Sequence, residues 1–250
     1  MNKIALITGA NKGMGLEVAR QLAEEGMTVL LGSRNFERGD LAAAELRSSG
    51  LDAHAIELDV TDDASISRAA TRIESEFHHL DVLVNNAGIA GDEGANAAPS
   101  STTRAGMHQI FETNVFGLVA VTNAILPLLR KTESARIVNV SSEVASLTTI
   151  TDPSSGLYGM FDMAYPASKA AVNMVTTMYA KELRDAGIKV NASIPGYVRT
   201  DLNGGAGMIS AAEGAAVTVA LALLPDDGPT GEYWGSLFTN KPGAYSVAPW

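Results

Sequence analysis

The sequence contains no cysteine, and its four histidines are scattered along the chain. Without cysteine there is no disulfide framework, no thiol nucleophile and no cysteine-based metal site. The histidines lack metal-ligand spacing, and we expect them in solvated positions. They are His54, His78, His79 and His108. The sequence therefore predicts no bound metal ion.

Basic residues are also scarce: 18 Lys and Arg stand against 28 Asp and Glu, which gives a net charge of −10. This balance argues against nucleic acids and anionic membranes as partners, because both attract basic patches. No apolar run approaches the ~20 residues of a membrane span, and the N-terminus lacks the pattern of a signal peptide. We expect a cytoplasmic protein whose partner is a small molecule. The sequence leaves open whether the chain is a monomer or a homo-oligomer.

Apolar runs typical of buried strands alternate with amphipathic runs typical of helices. Strands are predicted near 3–8, 27–33, 53–58, 81–85, 135–141, 188–194 and 232–238. Helices are predicted near 13–25, 37–49, 62–78, 104–131, 164–186 and 210–224. This alternation predicts an α/β fold, a doubly wound parallel sheet with helices on both faces. Because no linker or internal repeat interrupts it, residues 1–250 are expected to form a single domain.

A glycine-rich turn joins the first predicted strand to the first predicted helix. Gly9, Gly13 and Gly15 follow the apolar run 3–8 and precede the amphipathic run 16–25. Glycines allow a tight turn and a close approach to a pyrophosphate, which the free N–H groups of the helix N-terminus then bind. The sequence indicates a dinucleotide-binding loop, with an ordinary strand–helix turn as the alternative.

Two more strands end in small or polar residues. The strand 81–85 runs into Asn86, Ala87 and Gly88, and the strand 135–141 runs into Ser142. Each could be a plain turn. However, ligands of such sheets bind outside the carboxyl ends of the strands, where these residues would meet the glycine loop and Pro195.

Tyr165 and Lys169 lie four residues apart at the start of a predicted helix, and therefore on one face. A nearby ammonium group and the positive end of the helix dipole would both lower the pKa of the Tyr165 phenol. That makes Tyr165 a candidate acid or base. The alternative is a core tyrosine and a solvated lysine that share a face by chance.

Taken together, these motifs resemble the short-chain dehydrogenase/reductase family. The resemblance runs from about residue 3 to about 240, and its motifs occur in the family's order. They are Thr8-Gly9-x3-Gly13-x-Gly15, Asn85-Asn86-Ala87-Gly88, Asn114, Ser142, Tyr165-x3-Lys169 and Pro195-Gly196. The segment Asn11-Lys12-Gly13, the run 221–231 and the terminal Pro249-Trp250 are similar to the carbonyl-reductase branch.

The resemblance implies a Rossmann-type catalytic domain that transfers hydride between a nicotinamide and a carbonyl or alcohol carbon. Tyr165 would be the proton donor, Lys169 would tune it and hold the nicotinamide ribose, and Ser142 would bind the substrate oxygen. Asn114 would place Lys169 through water. The implied cofactor-binding residues are Gly9, Asn11, Lys12, Gly13, Met14, Gly15, Ser33, Arg34, Asp59, Val60, Asn86, Ala87, Gly88, Tyr165, Lys169, Pro195, Gly196, Val198 and Thr200. For Asp59, a plain turn acid is an equal alternative.

The end of the second predicted strand indicates NADP(H) rather than NAD(H). An NAD enzyme usually places an acid about 20 residues past the glycines to bind the ribose hydroxyl. Here Ser33 and Arg34 occupy that place, and Lys12 lies in the glycine loop nearby. A cation there suits the 2′-phosphate of NADP(H).

The stretch 143–164 between Ser142 and Tyr165 is longer than is usual in the family, and we expect this insert to form a wall of the substrate site. Candidate lining residues are Val144, Leu147, Tyr158, Met160, Phe161, Tyr197 and Met208. Because they are apolar or aromatic, they favour a neutral ketone or aldehyde. Two alternatives remain: an alcohol, sugar or steroid dehydrogenase that works oxidatively, and a non-catalytic protein that senses NADP(H).

Overall fold

The computed structural model describes residues 2–91, 98–235 and 245–250. Within these ranges, eight strands form one sheet in the order β3-β2-β1-β4-β5-β6-β7-β8. They are β1 Ile4–Thr8, β2 Thr28–Ser33, β3 Ala53–Glu57, β4 Val82–Asn85, β5 Arg136–Val140, β6 Lys189–Ile194, β7 Tyr233–Gly235 and β8 Ser246–Val247. All neighbouring pairs are parallel except β7 and β8, which are antiparallel.

Helices cover both faces of this sheet. They are α1 Gly13–Glu24, α2 Phe36–Ser48, α3 Asp63–Phe77, α4 Arg104–Phe111, α5 Leu118–Leu129, α6 Leu147–Ile150, α7 Ala164–Glu182 and α8 Ala211–Ala222. One buried cluster joins α1, α2 and α8 to Ala5 and Ile7 of β1. A second joins α3, α5 and α7 to Ile4 and Leu6. Because successive strand residues point to opposite faces, the two clusters are the two cores of a doubly wound sheet, and the predicted fold class is confirmed.

Strand order reverses at β1, which lies between β2 and β4. The carboxyl ends of β1, β4, β5 and β6 are therefore neighbours at one edge, where open α/β sheets bind their ligands. The predicted strand 232–238 is confirmed only as Tyr233–Gly235, since residues 236–238 lie outside the described ranges. The sequence did not predict β8 or α6.

The predicted helix 104–131 is not a uniform α-helix. A π-helical segment, Glu112–Gly117, separates α4 from α5. Such bulges are rare and frequently occur at functional sites. This one holds Asn114, a candidate site residue.

By length and composition alone, the continuous helix Arg104–Leu129 could cross a membrane, because one stretch of 18 residues within it has a mean hydropathy of 1.4. Half of that 18-residue stretch is buried inside the protein, where α5 contributes to the second core. The expectation that no segment approaches a membrane span was therefore too broad. Core helices pass the same test, so this helix is weak evidence for a membrane.

Candidate active site

The glycine loop is shaped by direct contact with the end of β4. Gly9 and Gly13 have positive φ values of 65° and 58°. A Cβ atom on Gly15 would lie 2.4 Å from Asn86 Nδ2 and 2.7 Å from the Gly9 carbonyl oxygen. Both contacts are closer than real Cβ atoms permit, so position 15 requires glycine.

The start of α1 leaves its backbone donors free of any side-chain cap. Its N-cap residue, Lys12, makes no capping hydrogen bond, and the first turn holds no acidic residue. By contrast, α2, α3 and α8 are capped by Asn35, Asp62 and Ser210. Uncapped N–H groups at a helix N-terminus suit an anion, as the predicted dinucleotide-binding loop requires.

Thr8, which the sequence analysis assigned no role, fastens the ends of β1 and β4 together. Its hydroxyl accepts hydrogen bonds from the backbone N–H groups of Asn86 and Ala87, each at 2.9 Å. The Asn86 side-chain Nδ2 donates a hydrogen bond of 2.8 Å to the Thr8 carbonyl oxygen. A hydroxyl at the last position of a strand, directly before the glycines, was the available signal. The Asn86 amide thus shapes the loop.

Asn114 is buried and clamps the segment that follows Gly88. Its Oδ1 accepts from the Ile89 N–H at 2.8 Å, and its Nδ2 donates to the Ile89 carbonyl at 2.9 Å and to Ser168 Oγ at 3.0 Å. A Cβ atom on Gly88 would lie 3.3 Å from Asn114 Oδ1 and 3.5 Å from Lys169 Nζ. Asn114, Gly88 and Lys169 therefore lie close together, and the placing of Lys169 by Asn114 through water stays a prediction.

Lys169 and Ser142 converge on Tyr165 at the first turn of α7. Lys169 Nζ lies 5.7 Å from the centroid of the Tyr165 ring and donates to the Val140 carbonyl oxygen at 2.8 Å. Its side chain is buried, and burial lowers its pKa to about 8. The Ser142 hydroxyl is close enough to the Tyr165 phenol to lower the pKa of that phenol by hydrogen bonding.

One electrostatic expectation is wrong: the pKa of Tyr165 is raised above its ordinary value, not lowered. Burial is the largest cause, and the negative charges of Glu143 and Asp162 act in the same direction. The hydrogen bond from Ser142 opposes them. Burial also lowers the pKa of Lys169, so the environment that disfavours the phenolate disfavours the ammonium as well.

Of the described residues expected to bind the 2′-phosphate of NADP(H), only Arg34 is both exposed and without an acidic partner. Arg34 is exposed, while Ser33 is buried and its hydroxyl donates to the Asn35 carbonyl oxygen at 2.8 Å. Lys12 Nζ is paired with the Asp201 carboxylate at 2.5 Å. The cations predicted to meet a phosphate thus include one that already has an acidic partner.

An open groove of about 410 Å³ runs beside the glycine loop. It is lined by Asn11, Lys12, Leu16, Arg38, Leu41, Ala42 and Glu45. Arg38 is a second cation that the sequence analysis missed. Its signal was its place in the first turn of α2, four residues past Arg34. Met14, a predicted cofactor residue, is half-buried and packs against the core, and its contact with the cofactor stays a prediction.

The Asp59 carboxylate forms hydrogen bonds within its own turn. Its Oδ1 accepts from the Thr61 backbone N–H at 2.9 Å and from the Thr61 hydroxyl at 2.8 Å. This is what the turn-acid alternative predicts. Val60, next in sequence, packs closely on Gly117, where a Cβ atom would lie 2.5 Å from the Val60 carbonyl oxygen. The adenine contact of Asp59 and Val60 stays a prediction.

The segment after β6 stands over the glycine loop. Pro195 is buried, and Gly196 has a φ of 86°. Val198 forms an isolated parallel bridge with Ile209. Thr200 caps the short turn Asp201–Asn203, and its Cγ2 would lie 3.7 Å from a Cβ atom on Gly13.

The predicted substrate residues divide into two groups. Val144 is buried and Met160 is half-buried. The others are exposed on the insert 143–164 and on the segment after β6, namely Leu147, Tyr158, Phe161, Tyr197 and Met208. Their lining of a common pocket stays a prediction.

Two further residues beside Ser142 were missed. The Tyr233 hydroxyl on β7 donates to the backbone carbonyl of Ser142, and its ring stacks on Trp250 with centroids 5.3 Å apart. Glu143 is buried directly after Ser142, and burial raises its pKa to about 7. No local pattern announces either. Tyr233 is brought to Ser142 by long-range packing, and the burial of Glu143 is not visible in the sequence.

The histidines do not form a metal centre. His54, His79 and His108 each face a carboxylate, Asp52, Asp81 and Glu112 respectively. Across the described residues, no three side chains of the metal-binding types cluster as ligands.

Comparison with known proteins identifies the class. Residues 3–207 match the family model described as short chain dehydrogenase. Short-chain dehydrogenase/reductase 1 from Saponaria officinalis is 37% identical, over 93% of this chain and 93% of its own. Carbonyl reductase (NADPH) 1 from Bos taurus is 35% identical, over 93% and 95%.

The same relationship holds between the structures. The NADPH-bound carbonyl reductase from chicken fatty liver superposes with a TM-score of 0.80 and 28% identity, covering 94% of this chain and 96% of its own. The chain therefore belongs to the short-chain dehydrogenase family, and its activity is that of an oxidoreductase.

Proposed function

We propose that this protein reduces neutral ketones or aldehydes to alcohols with NADPH as the hydride donor. The observation that carries the proposal is the meeting of Tyr165, Ser142 and Lys169 beside an uncapped, glycine-rich helix start. We further propose that the chain acts as one catalytic domain, and that it works in the cytoplasm.

The residues at the sheet edge fit a dinucleotide. The close packing of Gly15 against Asn86 leaves no room for a side chain there, and the free N–H groups of α1 suit a pyrophosphate. Arg34, Arg38 and Lys12 would bind the 2′-phosphate. Lys169, close to Gly88, would hold the nicotinamide ribose. When bound, the cofactor supplies the hydride.

Tyr165 would donate the proton to the carbonyl oxygen as that oxygen gains negative charge. Its raised pKa keeps the phenol protonated throughout the neutral range, so the proton that reduction consumes is in place. Ser142, which lies beside this phenol, would turn its single hydroxyl proton to the same carbonyl oxygen. This favours reduction over the oxidative alternative.

The substrate would be neutral because the insert 143–164 carries no positively charged residue that could bind an anion. No Lys or Arg occurs in 143–164, whereas Glu143, Asp152 and Asp162 do. A carboxylate or phosphate on the substrate would meet only negative charge from this segment. The exposed apolar residues of the insert suit alkyl and aryl groups.

The test is NADPH consumption with a matched series of ketones, aldehydes and keto acids of similar size. We expect neutral members to be reduced and their anionic counterparts to react at least tenfold more slowly. Preferred turnover of the anionic members would contradict the substrate class. Binding of NADPH without turnover of any carbonyl or alcohol would favour the cofactor-sensing alternative.

A further inference from the structure

Tyr233 on β7 holds the backbone at Ser142, although 91 positions separate the two residues. Its side chain is fully buried, and its hydroxyl donates a hydrogen bond to the Ser142 carbonyl oxygen. The same oxygen accepts from the Ala145 N–H at 3.0 Å, across the short turn Glu143–Ala145. Two donors from separate parts of the chain therefore fix the peptide plane that follows Ser142.

The position of this backbone determines where the Ser142 hydroxyl lies. The carbonyl group and the side chain leave the same Cα atom, so a shift of the backbone carries the hydroxyl with it. In the proposed reaction that hydroxyl donates to the substrate oxygen, a role that requires a preorganised donor. Misplacement of a reacting or orienting group by about 1 Å can cost a large part of the rate. The Tyr233 hydroxyl is thus placed to control the alignment of Ser142.

Trp250 contacts both Tyr233 and the insert 143–164. Its ring stacks on the Tyr233 ring, with centroids 5.3 Å apart and an angle of 12° between the planes. Its backbone oxygen accepts a hydrogen bond of 3.2 Å from Thr148 Oγ1 on α6, which belongs to the insert. Trp250 is itself 42% exposed, so it covers a buried tyrosine from the solvent side. Without this ring, one face of Tyr233 would be open to water.

The segment 245–250 is also attached to Tyr233 and to the turn after Ser142 by other contacts. Its strand β8 pairs with β7, and the Ala248 N–H donates to the Tyr233 carbonyl oxygen at 2.7 Å. Ala248 is buried in one cluster with Tyr233 and Ala145. Strand β7 and the segment 245–250 therefore connect Ser142, the turn that follows it and α6.

We propose that Tyr233 and Trp250 are positioning residues of the substrate site. Tyr233 aligns Ser142, and Trp250 holds Tyr233 in place and fixes α6 of the insert relative to it. Both act through Ser142 and α6 rather than on the reacting atoms. The inference rests on the proposed function, because that function assigns the substrate oxygen to Ser142 and a wall of the substrate site to the insert.

Tyr233→Phe tests the alignment of Ser142, since it removes the hydroxyl and keeps the ring on which Trp250 stacks. We expect kcat for a neutral ketone to fall roughly tenfold or more, while KM and the dissociation constant of NADPH stay nearly unchanged. Tyr179→Phe removes a hydroxyl that bonds to Asn123 instead, and it should keep its kcat. An unchanged kcat for Tyr233→Phe would overturn the inference.

Trp250→Ala tests the hold on the insert. We expect it to raise the KM of the ketone roughly tenfold without weakening NADPH binding. Trp250→Phe, which keeps an aromatic ring for the stack, should restore most of the loss. Val247→Ala, which changes an exposed side chain on β8 of the same segment, should behave as the unmutated protein. A normal KM for Trp250→Ala, or no recovery in Trp250→Phe, would overturn the inference.

Hydrogen exchange gives a readout that needs no turnover. Mass spectrometry of the protein without substrate should show faster deuterium uptake in peptides from 142–151 for Trp250→Ala, and unchanged uptake for Val247→Ala. Equal uptake in Trp250→Ala and the unmutated protein would overturn the inference. Faster uptake in a protein whose unmutated form reduces no carbonyl would support the contacts and contradict the proposed function, so the two failures are distinguishable.

Discussion

A phenol that stays protonated at neutral pH holds the proton that reduction consumes, and it must lose that proton before it can act as a base. Tyr165 is such a phenol, since burial raises its pKa. We expect Tyr165→Phe to lower ketone reduction by roughly 10²–10⁴-fold and to leave NADPH binding intact. Turnover numbers and a fluorescence titration with NADPH would measure the two effects.

The matched control for that change is Tyr179→Phe on the same helix. The Tyr179 hydroxyl donates to Asn123 Oδ1 at 2.7 Å, away from the sheet edge. The Tyr179→Phe protein should be less stable than the unmutated protein but keep its turnover number. If Tyr165→Phe retained most of its activity, the proton donor would be a different residue.

At the residue scale, the proposed preference for NADPH rests on exposed cations. A charge-assisted bond to the 2′-phosphate contributes about 1.5–3 kcal/mol, so we expect Arg34→Ala to weaken NADPH binding by roughly ten- to hundredfold. NADH, which lacks that phosphate, should bind almost as before. Dissociation constants of both nucleotides for both proteins test this. Equal losses for the two nucleotides would show that Arg34 does not meet the phosphate.

At the scale of elements, the glycine loop and the end of β4 form one unit. A Cβ atom at position 15 would press on Asn86 Nδ2 and on the Gly9 carbonyl. Overpacking of this kind costs about 1–3 kcal/mol. We expect Gly15→Ala to lower the melting temperature and to weaken NADPH binding roughly tenfold or more.

Gly156→Ala is the comparison for that variant, because a Cβ atom on Gly156 would meet nothing within 4 Å. Its melting temperature and NADPH affinity should match those of the unmutated protein. A Gly15→Ala protein that bound NADPH normally would mean that the loop does not hold the pyrophosphate.

Some elements of the fold and site are predictable from the sequence and others are not. The strands and the glycine loop were predictable because their signals are local, in apolar runs and in glycine spacing. The Lys12–Asp201 pair and the contact of Tyr233 with Ser142 were not. They join residues 189 and 91 positions apart along the chain. Likewise, the pattern Tyr165-x3-Lys169 indicated proximity correctly but missed the burial that reverses the effect on the phenol.

At the scale of the whole molecule, the buried acid should reduce stability as pH rises. Folding raises the pKa of Glu143 from 4.5 to about 7, so the folded state binds more protons between these values. Stability is then highest below the lower value and falls until the pH passes the upper one. The full loss is roughly 3 kcal/mol.

Glu143→Gln removes this dependence. Above about pH 7 its melting temperature should exceed that of the unmutated protein, and below about pH 4.5 the two should coincide. Thermal unfolding across that range, with Glu24→Gln as the surface control, measures the difference. A constant difference at all pH values would mean that Glu143 does not titrate in this window.

The central claim is hydride transfer from NADPH to a carbonyl carbon, and isotope transfer tests it most directly. NADPH carrying deuterium at one or the other nicotinamide hydride position is mixed with a neutral aryl ketone, and the product is analysed by mass spectrometry. The account predicts an alcohol that carries the deuterium from one of the two labelled forms, and little product from Tyr165→Phe. NADPH that is left unconsumed, or an alcohol without deuterium from both forms, would contradict it.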